Sequence, residues 1–146
     1  MDRIDRQLLS LLQADARLSY QELGEAVGLS GPAVFQRVRK LETAGILAGY
    51  HAAVSPAGVG RPLVAFLRVL PGPGADVDSL IAQWREGAGV QECHLMTGRG
   101  GYLVKLRVTE PRELEAHLAA LRRAGCEASA ELALVSAFER STVTVV

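Results

Sequence analysis

At 146 residues, with 49% of them hydrophobic, the chain is long enough for one ordinary domain or two small ones and too apolar to remain disordered. Sixteen basic and sixteen acidic residues cancel, so no overall electrostatic field favours nucleic acid, and any such affinity must come from a local cluster. The start, "MDRIDRQ", has charges of both signs and no apolar signal region, and no later stretch approaches the roughly 18 apolar residues of a membrane span, which predicts a soluble cytoplasmic protein.

The first third reads as helices. Ile4, Leu8, Leu11 and Leu12 recur at helical spacing with Asp2 available as N-cap, and the pattern closes near Asp15. "SYQE" is a capping box in which the Ser19 hydroxyl accepts from a free N–H and the Glu22 carboxylate returns the bond, opening a short second helix to about Val27. Gly28 supplies the turn of "VGLS". Ser30 then caps a third helix, with Gly31 and Pro32 in its first turn and Gly45 as its stop. Two helices joined by a tight turn are the sequence form of a helix-turn-helix.

In that third helix Val34, Val38 and Leu41 share one face, Gln36, Arg39, Lys40 and Thr43 lie opposite, and Arg37 flanks them. Three cations against Glu42 alone form the local basic cluster that the neutral total conceals. Arginine and lysine suit phosphate contacts, Gln36 matches an adenine edge and Arg37 a guanine edge. The bland alternative is a solvated helix face. "ILAGYHAAVSP" alternates loosely around Gly49 and is expected to form a hairpin or wing.

Composition shifts at "SPAGVGRP", Ser55 to Pro62, where two prolines and two glycines mark a hinge. Beyond it "LVAFLRVL" reads as a strand, "ADVDSLIAQWRE" as a helix, "VQECHLMT" and "GYLVKLRV" as strands, "RELEAHLAALRRA" as a helix and "ASAELALVSAFE" as a long last strand. The order β-α-β-β-α-β is the ferredoxin-like split βαβ pattern, an antiparallel sheet with two helices on one face. Apolar residues point both ways along "LVAFLRVL", so a partner is expected on the other face and the chain is expected to dimerise. The domain reading is therefore 1–54 winged helix-turn-helix, 55–62 hinge, 63–140 ferredoxin-like domain and 141–146 tail.

Catalytic and metal chemistry find little support. Glu92 and His94 alternate with Cys93 along one strand, so a Cys–His couple cannot form within it, and no HExxH, GxSxG or phosphate-loop sequence is present. Cys93 and Cys126 lack CxxC spacing and are expected as small buried hydrophobes. No catalytic residue, metal ligand or cofactor is expected. "TGRGGYLVK" precedes a strand rather than a helix, so it reads as a turn between strands and not as a phosphate cradle.

The stretches "MDRIDRQLLSLLQADAR", "ELGEAVGLSGPAVFQRVRKLETAGIL", "QECHLMTG" and "GYLVKLRV" together resemble the Lrp/AsnC family of transcription factors over nearly the whole chain. The resemblance implies an α+β protein: an N-terminal winged helix-turn-helix joined by a hinge to a C-terminal ferredoxin-like βαββαβ domain of the RAM type. It further implies binding to double-stranded promoter or operator DNA, a homodimer that often builds octamers or other higher assemblies, and a small-molecule effector, commonly an amino acid. By position, Ser30, Gly31, Pro32, Gln36, Arg37, Arg39 and Lys40 match the DNA-recognition segment. Gly98, Arg99, Gly100, Gly101 and Tyr102, with Ser136, match the effector site, whose turn is usually written GxxDY in the family. Gly101 replaces the acid that would pair with an ammonium group, leaving Arg99 and backbone N–H groups for an anion. The remaining alternative is an oligomeric small-molecule sensor with weak or no specific DNA binding.

Overall fold

A computed structural model describes residues 1–98, 100–140 and 142–145. The chain forms two units, Met1–Ala53 with described residues from Glu139 onward, and Val54–Phe138.

The first unit holds three helices: α1 (Arg3–Ala14), α2 (Tyr20–Val27) and α3 (Gly31–Thr43). Each start has a chemical reason. Asp2 caps α1 in a reciprocal box, its carboxylate accepting from the Asp5 N–H while the Asp5 carboxylate accepts from the Asp2 N–H, both at 2.9 Å. Ser19 and Glu22 form the same box on α2, where the bond from the Ser19 backbone holds the Glu22 carboxyl below its usual range. Ser30 occupies the cap position of α3 without a side-chain bond, and Pro32 sits in the first turn, where a missing N–H costs nothing.

Leu8, Leu12, Leu23, Val34 and Val38 form the buried cluster of this unit. The α2–α3 turn closes tightly on it: a Cβ at Gly24 would collide with the Leu29 carbonyl, and the Leu29 N–H donates to the Gly24 carbonyl at 2.9 Å.

The expected wing hairpin does not form. Residues 47–54 make no strand ladder, and Gly49 is absent from the glycines with positive φ, so the left-handed residue of a tight hairpin turn is missing. Val143 meets α1, where the Gln13 side-chain amide donates to the Val143 carbonyl at 3.0 Å and accepts from its N–H at 2.8 Å.

The second unit begins with a short 3-10 turn, Ala57–Val59, and continues β1 (Leu63–Pro71), α4 (Val77–Glu86), β2 (Val90–Leu95), β3 (Tyr102–Val108), α5 (Arg112–Arg123) and β4 (Cys126–Leu132). The sheet is antiparallel in the order β2-β3-β1-β4, with both long pairings made by β1. Ala65, Leu67 and Val69 of β1 and Val104, Leu106 and Val108 of β3 point to one face, where Leu80 and Trp84 of α4 and Leu114 and Leu121 of α5 cover them. At ~2 kcal/mol for each large apolar side chain removed from water, this face dominates the stability of the unit.

The opposite face is not uniformly apolar. Phe66, Leu70 and Leu103 alternate by register with Arg68, Lys105 and Arg107, while Glu92 stands on β2 and Glu127 and Glu131 on β4. The bond with His94, followed by that from Lys105, each at 3.1 Å, holds the Glu92 carboxyl below the usual carboxylate range.

Two expectations fail in this unit. The last strand stops at Leu132 rather than running to residue 139, because its partner β1 begins at Leu63 and the ladder ends with the Ala133 N–H on the Val64 carbonyl. Cys126 is buried as expected, but Cys93 is exposed, since it lies on the edge strand β2, whose residues beyond Val90 are uncovered.

Candidate functional site

The first candidate is the outward face of α3. Burial of Val34, Val38 and Leu41 fixes the rotation of the helix, so Pro32, Gln36, Arg39, Lys40 and Thr43 project away from the core. Gln36 and Lys40 make no side-chain hydrogen bond or ion pair among the described residues. Arg39, largely exposed, meets Glu42 at 3.4 Å, a loose contact one turn along the helix. Ser30, Gly31 and Pro32 open the helix with no acid in its first turn, leaving its positive end unopposed.

Arg37 is placed differently from the other cations. One nitrogen of its guanidinium donates to Asp2 at 2.6 Å and to Asp5 at 2.8 Å, across 35 and 32 positions of sequence. The same two carboxylates that cap α1 therefore fasten it to α3. The bond from the Asp5 backbone, followed by that from Arg37, holds the Asp2 carboxyl below its ordinary value, and the two acids raise the guanidinium of Arg37. Arg37 is thus engaged as a clamp between helices, not presented on the free face beside Gln36.

The opposite flank of α3 is held as well. Tyr50 donates to Glu42 at 2.9 Å, and partial burial together with that bond pushes the phenol up to about 12. Sequence reading missed the partners of both flanks. For Arg37 the available signal was the pair of acids at the N-cap and the third position of α1, each of which keeps one carboxylate oxygen free after the capping box is made.

The second candidate is the turn between β2 and β3. Gly98, Gly100 and Gly101 all have positive φ, at 81°, 72° and 80°, and the Met96 N–H donates to the Gly101 carbonyl at 2.9 Å. Arg99 lies outside the described residues. A Cβ at Gly101 would collide with the Val69 carbonyl, so this turn rests directly on β1 and excludes any side chain at that position. Tyr102 packs against Trp84 with ring centroids 5.8 Å apart. Behind it opens a cleft of about 350 Å³ lined by Ile81, Trp84, Arg85, Val90, Cys93 and Tyr102 among others. Although Cys93 is exposed, partial desolvation raises its thiol above the ordinary value. Ser136 lies beyond the end of β4, exposed and outside any strand, and no observation joins it to the glycine turn.

Among the described residues no cluster of three histidines, cysteines or acids is arranged to hold a metal ion, and no helix is long and apolar enough to cross a membrane.

A model of the AsnC-type helix-turn-helix domain matches residues 1–42, and one of the Lrp/AsnC ligand binding domain matches residues 64–135. The chain is 37% identical over 122 residues to the HTH-type transcriptional regulator LrpA of Mycobacterium tuberculosis, covering 84% of this chain and 81% of that protein. Its fold superposes on a transcriptional regulator from Neisseria meningitidis in complex with L-methionine, with a TM-score of 0.88 and 30% identity over 98% of this chain and 96% of the other. A feast or famine regulatory protein of M. tuberculosis complexed with L-methionine gives a TM-score of 0.88 at 32% identity, over 98% of each chain.

Proposed function

The chain belongs to the Lrp/AsnC family of transcriptional regulators, and on that premise we propose that it is a sequence-specific DNA-binding protein, dimeric or larger, tuned by a small molecule at its second unit. The observation that carries the reading is the outward face of α3, where Gln36, Arg39 and Lys40 stand clear of a fully buried opposite face. Gln36 reads a base edge, Arg39 and Lys40 take phosphates, and the start of α3 at Ser30, Gly31 and Pro32 approaches the backbone. Arg37 acts through α1: by tying α3 to Asp2 and Asp5 it sets the angle at which the recognition helix is presented. The protein works in the cytoplasm as a regulator, without catalytic residues or a cofactor.

Assembly is supported by the sheet face opposite the helices, on which half-buried Arg68, Lys105 and Arg107 on the central strands lie between acids on the two edge strands. A second copy laid on this face meets both apolar and complementary charged groups. Exposed Leu95, Leu134 and Phe138 offer surface for further copies.

The effector site is the glycine turn with Tyr102. Two of the similar structures hold L-methionine. In this chain the turn offers backbone N–H groups and no carboxylate, which favours a ligand recognised through an anionic group, such as a 2-oxo acid, over one gripped by its ammonium.

A gel shift of the full chain against the region next to its own gene, at low salt, tests the central reading. A retarded band that weakens with salt is expected, and no binding to any genomic fragment contradicts it. Calorimetry against amino acids and 2-oxo acids tests the effector. Tighter binding of the oxo acid is expected, and clear preference for the amino acid through its ammonium at this turn overturns it.

A further inference from the structure

Phe35 belongs to neither face of α3. It follows Val34 by about 100°, which sets it on the flank that leans toward the first turn of α2. There its ring meets Tyr20, the first residue of α2, edge to face, with centroids 5.3 Å apart and planes at 75°. The pair stands outside the buried cluster of the unit: both residues are 39% exposed, whereas Val34 and Val38 beside Phe35 are wholly buried. Two aromatic rings fix each other at the surface, and the first turn of α3 next to them carries only Gly31, Pro32 and Ala33, small or apolar residues without an acid.

In a helix-turn-helix the first helix of the pair crosses the DNA backbone while the second lies in the major groove, and Phe35, exposed on the flank of α3 beside the start of α2, adjoins the free face that carries Gln36. The one apolar group that a base pair presents in that groove is the thymine methyl, which phenylalanine contacts favourably. Building on the DNA-binding reading above, we infer that Phe35, held edge-on by Tyr20, is a specificity residue that contacts a thymine methyl beside the base read by Gln36. Gln36 selects adenine through its amide and Phe35 selects thymine through its methyl, so the two adjacent side chains together favour an A·T-containing step.

Deoxyuridine tests this directly, because it pairs as thymine does and lacks only the methyl. Duplexes are selected from a random-sequence pool with the full-length chain, and each thymine of an enriched duplex is then replaced in turn. The expected result is one thymine per half-site whose replacement weakens binding roughly fourfold, the worth of one methyl removed from water. Phe35→Ala should bind the thymine and deoxyuridine duplexes equally at that position, while Gln36→Ala keeps the difference. Phe35→Gln, on a helix-favouring side chain, repeats the test, and thermal melting of both variants shows that the helices are intact. Undiminished discrimination in a folded Phe35 variant, or a wild-type protein indifferent to every methyl in a duplex it has enriched, overturns the inference. Failure of the DNA-binding reading looks different: no duplex is enriched at all.

Discussion

In the helical unit five buried side chains, Leu8, Leu12, Leu23, Val34 and Val38, make the core cluster, whereas the sheet unit gathers eleven, from Ala65 to Cys126, between one sheet face and two helices. The smaller core has less apolar area to spend on orientation, and polar devices supply it: the Asp2–Asp5 box, the Ser19–Glu22 box and the Arg37 clamp all act at helix ends. The larger core fixes its own sheet, and glycines at close backbone approach recur around it, Gly101 against Val69 and Gly72 against Gly125, where the helical unit has Gly24 against Leu29. The site on the helical unit is accordingly a set of side chains held out from a clamped helix. The site on the sheet unit is a turn made of main chain.

The largest effect should come from cavities. Leu8→Ala and Leu67→Ala each remove a fully buried side chain and should cost ~2–5 kcal/mol. The comparison predicts unequal outcomes in a two-transition thermal melt. Leu8→Ala should abolish the helical transition and DNA binding, while Leu67→Ala should lower the sheet transition and leave a cooperative one. Equal behaviour of the two variants would break the distinction.

Next in size is Gly101→Asp, which restores the acid usual in the family's turn. The left-handed φ and the collision with the Val69 carbonyl should together cost about 1–3 kcal/mol in the sheet transition, read by chemical denaturation, with the helical transition unchanged. A neutral Gly101→Asp would mean that the turn is freer than its contact with β1 implies.

Arg37→Ala should have a smaller effect, confined to the helical unit: a lower melting temperature and weaker binding to every DNA sequence, without altered base preference. A change in preferred bases would return Arg37 to the reading surface. The smallest effect is one of pH. Because the Asp2 carboxyl is held below its ordinary value, its contribution is present above that ordinary value and is lost as pH falls through the lowered one. The helical transition should weaken at acid pH, less so in Asp2→Asn, whereas the sheet transition should not share this component.

Much of this arrangement was legible in the sequence because it rests on local rules. The caps at Asp2 and Ser19, the turn at Gly28 and the buried trio Val34, Val38 and Leu41 follow from spacing within a few residues. The βαββαβ order followed in the same way from alternation and helical periodicity. What escaped depends on distant partners. Helical spacing sets Arg37 beside the free face, and the acids that engage it lie more than thirty positions away in sequence. Alternation alone carries the last strand past Leu132, since its end is set by where β1 starts, and apolar neighbours alone bury Cys93, since edge position is a property of the sheet. Alternation predicts the wing, but alternation alone does not provide the turn that pairs two strands. At the glycine turn the missing acid was visible, while the pressure of Gly101 on Val69 was not.

The salt dependence of DNA binding tests the central claim most directly. Affinity of the full chain for an enriched duplex is measured across salt concentrations for the wild type and for Arg39→Ala/Lys40→Ala. If both side chains neutralise phosphates, the slope of log affinity against log salt should be shallower by about 2 for each recognition helix that is engaged. An unchanged slope, with affinity lost equally at all salt concentrations, would contradict the assignment of this face to DNA.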